Sequence, residues 1–138
     1  AIAADTAKFS TPGVHIGLFC STPMVALSRN VADKHAMEML LTGDMTSAAR
    51  AAEIGLVNRV AAPAALQETT MEMARKIASK SSMTLATGKR AYYAQREMAQ
   101  SDAYDYASRV MVDNMLAQDA EEGIGAFIEK RAPQWQDA

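Results

Sequence analysis

Cysteine is nearly missing from this chain: Cys20 is the only one in 138 residues. A single thiol builds neither an internal disulfide framework nor a multi-thiolate zinc site, so a reducing compartment fits. Histidine is just as sparse. His15 and His35 have no Cys, His or carboxylate at a recognisable ligand spacing, so no metal and no redox cofactor is expected. Excess positive charge is also lacking, since 14 Lys and Arg face 16 Asp and Glu for a net charge of −2. A phosphate-backbone binder needs a dense cationic excess to release counterions, which excludes nucleic acid as a partner. No apolar run approaches the roughly 20 residues that span a bilayer, and the amino terminus lacks the basic-then-apolar layout of a secretory signal. The expected setting is therefore the cytoplasm, or the mitochondrial matrix in a eukaryote, with no membrane partner.

What is present suffices for a core. Hydrophobic residues make up 49% of the chain and charged residues 22%, a balance that fits a folded domain and not a disordered polymer. The opening Ala1-Ile2-Ala3-Ala4-Asp5 lacks an initiator Met and reads as the interior of a buried strand whose neighbours lie elsewhere, so a fragment of a longer protein is expected. Residues 1–4 and 8–9 are short apolar pieces compatible with strand ends. Thr22-Pro23 supplies a cap followed by proline at the first helical position, which predicts a helix over residues 24–29. Asp33 predicts the cap of a second helix with Ala36, Met37, Leu40 and Leu41 on one face, and Gly43 its left-handed stop. Ser47 predicts a third helix over 48–54 ended by Gly55, and the alternation in Leu56-Val57-Asn58-Arg59-Val60 predicts a brief strand.

Beyond Pro63 the pattern becomes helical. Leu66, Thr70, Met73 and Ile77 mark one face of a long amphipathic helix, a second runs over 84–98, and the two are expected to form a hairpin. Ser101 or Asp102 opens a third, with Tyr104, Ala107, Met111 and Met115 in register. Asp119 and Glu122 read as a capping pair before Ile124, Phe127 and Ile128, and Pro133 ends the last turn. The ten methionines suit adaptable helix packing more than a cofactor box. Charge is uneven here: from Arg75 to Arg96 every ionised side chain is basic, whereas Asp102 to Glu122 is mostly acidic, a pattern explained by helix or subunit pairing.

Three motifs carry a resemblance. Phe9-Ser10-Thr11-Pro12-Gly13-Val14-His15-Ile16-Gly17 is one, the run from Thr42-Gly43 through Ser47-Ala48 to Gly55-Leu56-Val57 is the second, and Glu122-Gly123-Ile124-Gly125-Ala126-Phe127-Ile128-Glu129-Lys130-Arg131-Ala132-Pro133-Gln134-Trp135 is the third. Together they resemble the enoyl-CoA hydratase/isomerase (crotonase) family over nearly the whole chain. Within it, the chain is most similar to hydratase-domain-containing members that read Pro-Gly-Val where others read Pro-Glu. The resemblance implies an α/β fold, namely the C-terminal part of a crotonase-like (ClpP/crotonase) spiral core over roughly 1–60, with the acyl-CoA pocket segment, followed over 61–138 by a helical trimerisation region.

The implied chemistry is that of an acyl-CoA or enoyl-CoA thioester, whose carbonyl oxygen is held by two backbone N–H groups that stabilise an enolate. Both donors, and the first of two catalytic glutamates, would lie upstream of Ala1. The second glutamate position falls on Gly13, so its function is lost, and restoring a carboxylate by Gly13→Glu is expected to raise hydration. His15 is a candidate substitute base, since two residues along an extended piece it would share a face with Gly13; a lone histidine is more often structural. Cys20 precedes a helix start, where a thiolate is favoured, but reads more simply as a small buried hydrophobe. Ile16, Gly17, Leu18 and Phe19, with Gly13, are the expected pocket floor, though the same residues could pack a core. Lys130 matches a position that in some members meets the nucleotide end of coenzyme A. His35 reads as surface or packing. The expected cofactor list is empty, coenzyme A being part of the substrate, and the expected assembly is a homo-trimer or dimer of trimers. Three functions remain open: a hydratase or isomerase, a CoA-thioester binder without hydratase activity, and a helical association module.

Overall fold

The computed structural model describes residues 1–137. It contains strands β1 (Ile2–Ala4), β2 (Lys8–Phe9), β3 (Thr46–Ser47) and β4 (Arg59–Ala61), and helices α1 (Ser21–Ser28), α2 (Asp33–Thr42), α3 (Ala48–Glu53), α4 (Leu66–Ala78), α5 (Ser82–Gln95), α6 (Gln100–Met115) and α7 (Gln118–Glu129). Two single 3-10 turns, Pro12–Ile16 and Pro63–Ala65, precede α1 and α4. Packing divides the chain into Ala1–Met73 and Ala74–Ala138, with the boundary inside α4.

In the first unit β1 pairs in parallel with β4 (Ile2↔Arg59, Ala3↔Val60, Ala4↔Ala61), and β2 pairs antiparallel with β3 (Lys8↔Ser47, Phe9↔Thr46). Ladders this short have no independent stability. The packing comes from helices instead. Leu27 and Val31 meet Ala36, Met39 and Leu40 of α2, flanked by Phe9, Cys20 and Met24. Ala48 and Ala51 of α3 close on Ala3 and Val57 in a second cluster. Small alanines let α3 approach the strands closely, and both are fully buried.

Several local expectations need correcting. α1 begins at Ser21 with Cys20 as its cap residue, so Thr22-Pro23 lies within the first turn. Ala32, not Asp33, flanks α2, and its buried positions are Ala36, Met39 and Leu40, while Met37 and Leu41 point to solvent. The buried face is the one that meets Leu27 and Val31, a tertiary contact invisible to periodicity. The strand over 56–60 begins only at Arg59. Ser47 does cap α3, accepting the Arg50 N–H at 3.2 Å, and Gly43 does end α2 with φ 68°.

In the second unit α5 packs on α6, and α6 on α7. The hairpin is therefore α5–α6 rather than α4–α5. Ser81 caps α5 through Thr84, whereas α6 and α7 start after Ala99 and Ala117 without a side-chain cap. Among the described residues of this unit the buried ones are polar or small, Ser81, Asp119 and Ala126, while large apolar side chains are half-buried, as Leu85 and Val110 are, or exposed, as Leu116 and Phe127 are.

Candidate functional site

The segment around Gly13 is built on the end of α2. A helix leaves its last carbonyls short of intrahelical donors, and three side chains donate at this end, one of them to the Met39 carbonyl that also accepts the Gly43 N–H. Ser10 Oγ donates to the Gly43 carbonyl at 2.8 Å, Thr11 Oγ1 to Met39 at 2.7 Å, and His15 Nε2 to Thr42 at 3.1 Å. The run Ser10-Thr11-Pro12-Gly13-Val14-His15 thus clasps the helix terminus. Sequence reading missed this role; its only signal was a cluster of short donors just ahead of a helix that ends in glycine.

Gly13 lies in the Pro12–Ile16 turn, where its N–H donates to Cys20 Sγ at 3.3 Å and its carbonyl accepts the Leu18 N–H at 2.9 Å. A Cβ at this position would stand 2.7 Å from the Leu18 carbonyl oxygen and 2.8 Å from Cys20 Sγ. Position 13 is therefore filled, not vacant. A glutamate here would have to displace the returning backbone of Leu18 and the Cys20 thiol.

The turn also changes the geometry assumed for His15. In a 3-10 conformation residues two apart do not share a face. The His15 imidazole lies on Gly43, whose Cβ would fall within 2.4 Å of Nε2, and its bond to the Thr42 carbonyl occupies the Nε2 proton. Gly17 turns the chain in the left-handed region with φ 76°. Ile16, Leu18 and Phe19 then project outward, 76%, 62% and 43% exposed, so they display an apolar surface and do not pack the core of this unit. Cys20 is half-buried against the Leu27, Met39 and Leu40 cluster. Lys130 belongs to the second unit, where it ends α7 in a left-handed conformation with φ 55° and is exposed.

A separate cavity of about 300 Å³ opens beside α2 and α3, lined by His35, Glu38, Thr42, Asp44, Ser47 and Arg50 among others. Arg50 Nη2 donates to His35 Nδ1 at 3.4 Å and Nη1 to Glu53 at 3.1 Å. Among the lining residues Arg50 is the one cation beside the carboxylates Glu38 and Asp44, and His35 lies partly exposed, in keeping with the surface or packing role read from the sequence. Among the described residues no group of three or more His, Cys, Asp or Glu is arranged to hold a metal, and no helix is long and apolar enough to cross a membrane.

In the second unit Asp119 and Glu122 do not cap α7. Asp119, 2% exposed, accepts the backbone N–H groups of Gln136 and Asp137 at 2.7 and 3.1 Å. A hydrogen bond from Ser81, together with these two N–H groups, holds its carboxyl below the usual range against the cost of burial. Glu122 binds Arg131 through both oxygens, at 2.6 and 2.9 Å, and the Gln134 N–H at 2.7 Å. Those bonds bring its pKa down to about 2 and raise that of Arg131. Trp135 Nε1 donates to the Ser79 carbonyl at 2.9 Å while its ring covers Gly123. The closing motif is thus a strap across α5 and α7, bordering an apolar groove of about 540 Å³ lined by Leu85, Met115, Ile124 and Phe127.

The family model described as enoyl-CoA hydratase/isomerase matches residues 1–138. The chain belongs to the enoyl-CoA hydratase/isomerase family. Similar to it is human "Enoyl-CoA hydratase domain-containing protein 3, mitochondrial", 50% identical over 135 residues that cover 98% of this chain and 45% of that protein. The crystal structure of an enoyl-CoA hydratase from Mycobacterium smegmatis matches with a TM-score of 0.93 at 48% identity, covering 97% of this chain and 52% of that one. The crystal structure of the human domain-containing protein 3 matches at 0.91 and 49% identity, covering 97% and 53%. The chain spans about half the length of these relatives. The fold is accordingly the α/β crotonase fold of this enoyl-CoA hydratase/isomerase family, here as mixed strand and helix followed by a helical C-terminal region, as the motifs implied.

Proposed function

We propose that the protein carrying this chain binds acyl-CoA or enoyl-CoA thioesters and stabilises their enolates, without proton transfer from position 13. Family membership supports the thioester chemistry. The observation that carries the rest is the crowding of Gly13 by the Leu18 carbonyl oxygen and Cys20 Sγ. Enolate stabilisation needs only preorganised backbone donors, whereas hydration needs one group to activate water and another to protonate the α-carbon. Gly13 supplies neither, and the His15 ring is turned onto Gly43 and the Thr42 carbonyl at the end of α2. Hydration is therefore slow, by the roughly 10²–10⁴-fold that a missing acid or base costs. A thioester binder with no hydratase activity is the limit of this reading.

The test uses the full product of the gene. Calorimetry with a saturated acyl-CoA measures binding, and loss of the enoyl-thioester absorbance of crotonyl-CoA measures hydration. Binding with slow hydration is expected. Hydration as fast as that of a two-glutamate family member overturns the reading of Gly13, and failure to bind any acyl-CoA overturns the thioester reading.

Residues 1–60 contribute the pocket segment, with Ile16, Gly17, Leu18 and Phe19 beside the acyl group. Residues 61–138 serve association as a homo-trimer or dimer of trimers, supported by the exposed Tyr104, Met111, Leu116 and Phe127. Lys130 meets the coenzyme A phosphates by charge. No cofactor beyond the coenzyme A of the substrate enters. In a eukaryote the matrix is the expected compartment, in line with the mitochondrial designation of the human relative.

A further inference from the structure

Cys20 joins Gly13 to the core of its unit. Its thiol accepts the Gly13 N–H at 3.3 Å, and its side chain packs on the core cluster of Leu27, Met39 and Leu40. Two residues before it, the Leu18 N–H returns to the Gly13 carbonyl at 2.9 Å, after the left-handed turn at Gly17. The chain leaves Gly13, reverses and comes back over it, and the returning atoms occupy the volume a side chain at 13 would enter. Only glycine lets the loop close this far, because a Cβ would meet the Leu18 carbonyl oxygen at 2.7 Å and Cys20 Sγ at 2.8 Å. On this tethered loop sit Leu18 and Phe19, 62% and 43% exposed. Anchored apolar side chains presented outward are a surface with a fixed shape, and a fixed apolar shape discriminates among ligands by their apolar bulk.

We propose that Cys20 is a positioning residue which, packed against Gly13, sets the acyl-chain selectivity of the thioester site by holding Leu18 and Phe19 in place. This rests on the thioester reading above. Cys20 touches no reacting atom; it acts through the loop. The acyl part of the ligand feels the loop and the nucleotide part does not. Loosening the tether alters the ranking of acyl groups while leaving the affinity for free coenzyme A unchanged, a separation that general loss of stability does not produce.

The experiment measures dissociation constants of acetyl-, butyryl- and octanoyl-CoA and of free coenzyme A, by calorimetry on the full gene product. Cys20→Ala and Gly13→Ala are compared with wild type, with circular dichroism and Leu18 amide exchange to verify folding and loop release. The ratio of octanoyl- to acetyl-CoA affinity is expected to change by about tenfold in each, within the range that small apolar differences command, with free coenzyme A unaffected. Cys20→Ser, which retains an acceptor for the Gly13 N–H, keeps the wild-type ratio. An unchanged ratio in Cys20→Ala and Gly13→Ala, with acyl-CoA still bound, overturns the proposal. Absence of acyl-CoA binding by wild type instead overturns the thioester reading beneath it.

Discussion

Gly43 is held to glycine by two separate demands. Its φ of 68° lies where an L side chain costs about 1–2 kcal/mol, and a Cβ would run into the His15 ring at 2.4 Å. Gly43→Ala is therefore expected to lower stability by about 2–4 kcal/mol, the left-handed penalty plus the overpacking. The measurement is urea unfolding, and a loss below the backbone penalty alone would show that the clasp of residues 10–15 yields freely. Lys130 is the opposite case, a left-handed residue that is not glycine. Replacing it by alanine would confound charge with backbone strain. Lys130→Asn removes the charge in a residue that tolerates this conformation. It is expected to weaken binding of an acyl-CoA by about 1 kcal/mol at low salt, and less at high salt, while sparing the matching pantetheine thioester. Equal weakening of both ligands would remove Lys130 from the site. At this scale Gly43 was legible, because a helix pattern stopping at glycine has one common cause. Gly13 was only half legible: the missing carboxylate could be read from the motif, but the filling of its place depends on a chain reversal at Gly17 that no local pattern announces.

At the scale of elements, the strap formed by residues 131–137 departs furthest from sequence expectation. Asp119 and Glu122 have the spacing of a capping pair, yet both are satisfied by the strap instead. Local propensity lost to partners nine to eighteen positions away, which a local capping pattern cannot weigh. Both carboxyls titrate below their ordinary values in the folded protein, so the stability they contribute is present above the ordinary carboxylate range. It is lost as pH falls, for Glu122 between 4.5 and about 2. Trp135 is the only tryptophan, so its fluorescence reports the strap alone. A red shift is expected on acidification through that window, and Glu122→Gln is expected to show much of it already at neutral pH. An emission maximum that stays fixed to pH 2 would argue that Asp119 and Trp135 hold the strap without Glu122. Ser47 caps the helix that follows it, as read from the sequence, and Ser81 caps α5 in the same way although the sequence reading started that helix at 84. Ser47→Ala is expected to cost about 1 kcal/mol.

For the molecule as a whole, the second unit leaves its apolar surface outside. Leu116, Phe127 and Ile128 are 82%, 83% and 72% exposed while a carboxylate, Asp119, is buried. Large apolar side chains this exposed are the mark of an interaction surface. The isolated chain is expected to self-associate at micromolar concentration, and Phe127→Asp to shift the assembly toward smaller species in light scattering. A monodisperse monomer would overturn the association reading. The stripe of Tyr104, Met111 and Met115 was visible as a period in the sequence, but whether its cover lies in the same chain or another is not encoded in a period.

The parallel pairing of β1 with β4 carries a consequence for the order of events in folding. It joins residues 2–4 to 59–61, so its bonds from Asn58 to the Ala1 carbonyl and from Asp5 to that of Ala61 close loops of more than fifty residues. The α5–α6 hairpin closes over a handful. Chain entropy makes distant pairings slow and local ones fast. In a pulse-labelling refolding experiment, amides within α5 and α6 are expected to gain protection early, and those of Asp5 and Asn58 last. The pocket segment, which hangs between those two strands in the chain, would then take its shape only as the slowest contacts close, so newly made protein would pass through a stage with helices in place and no thioester site.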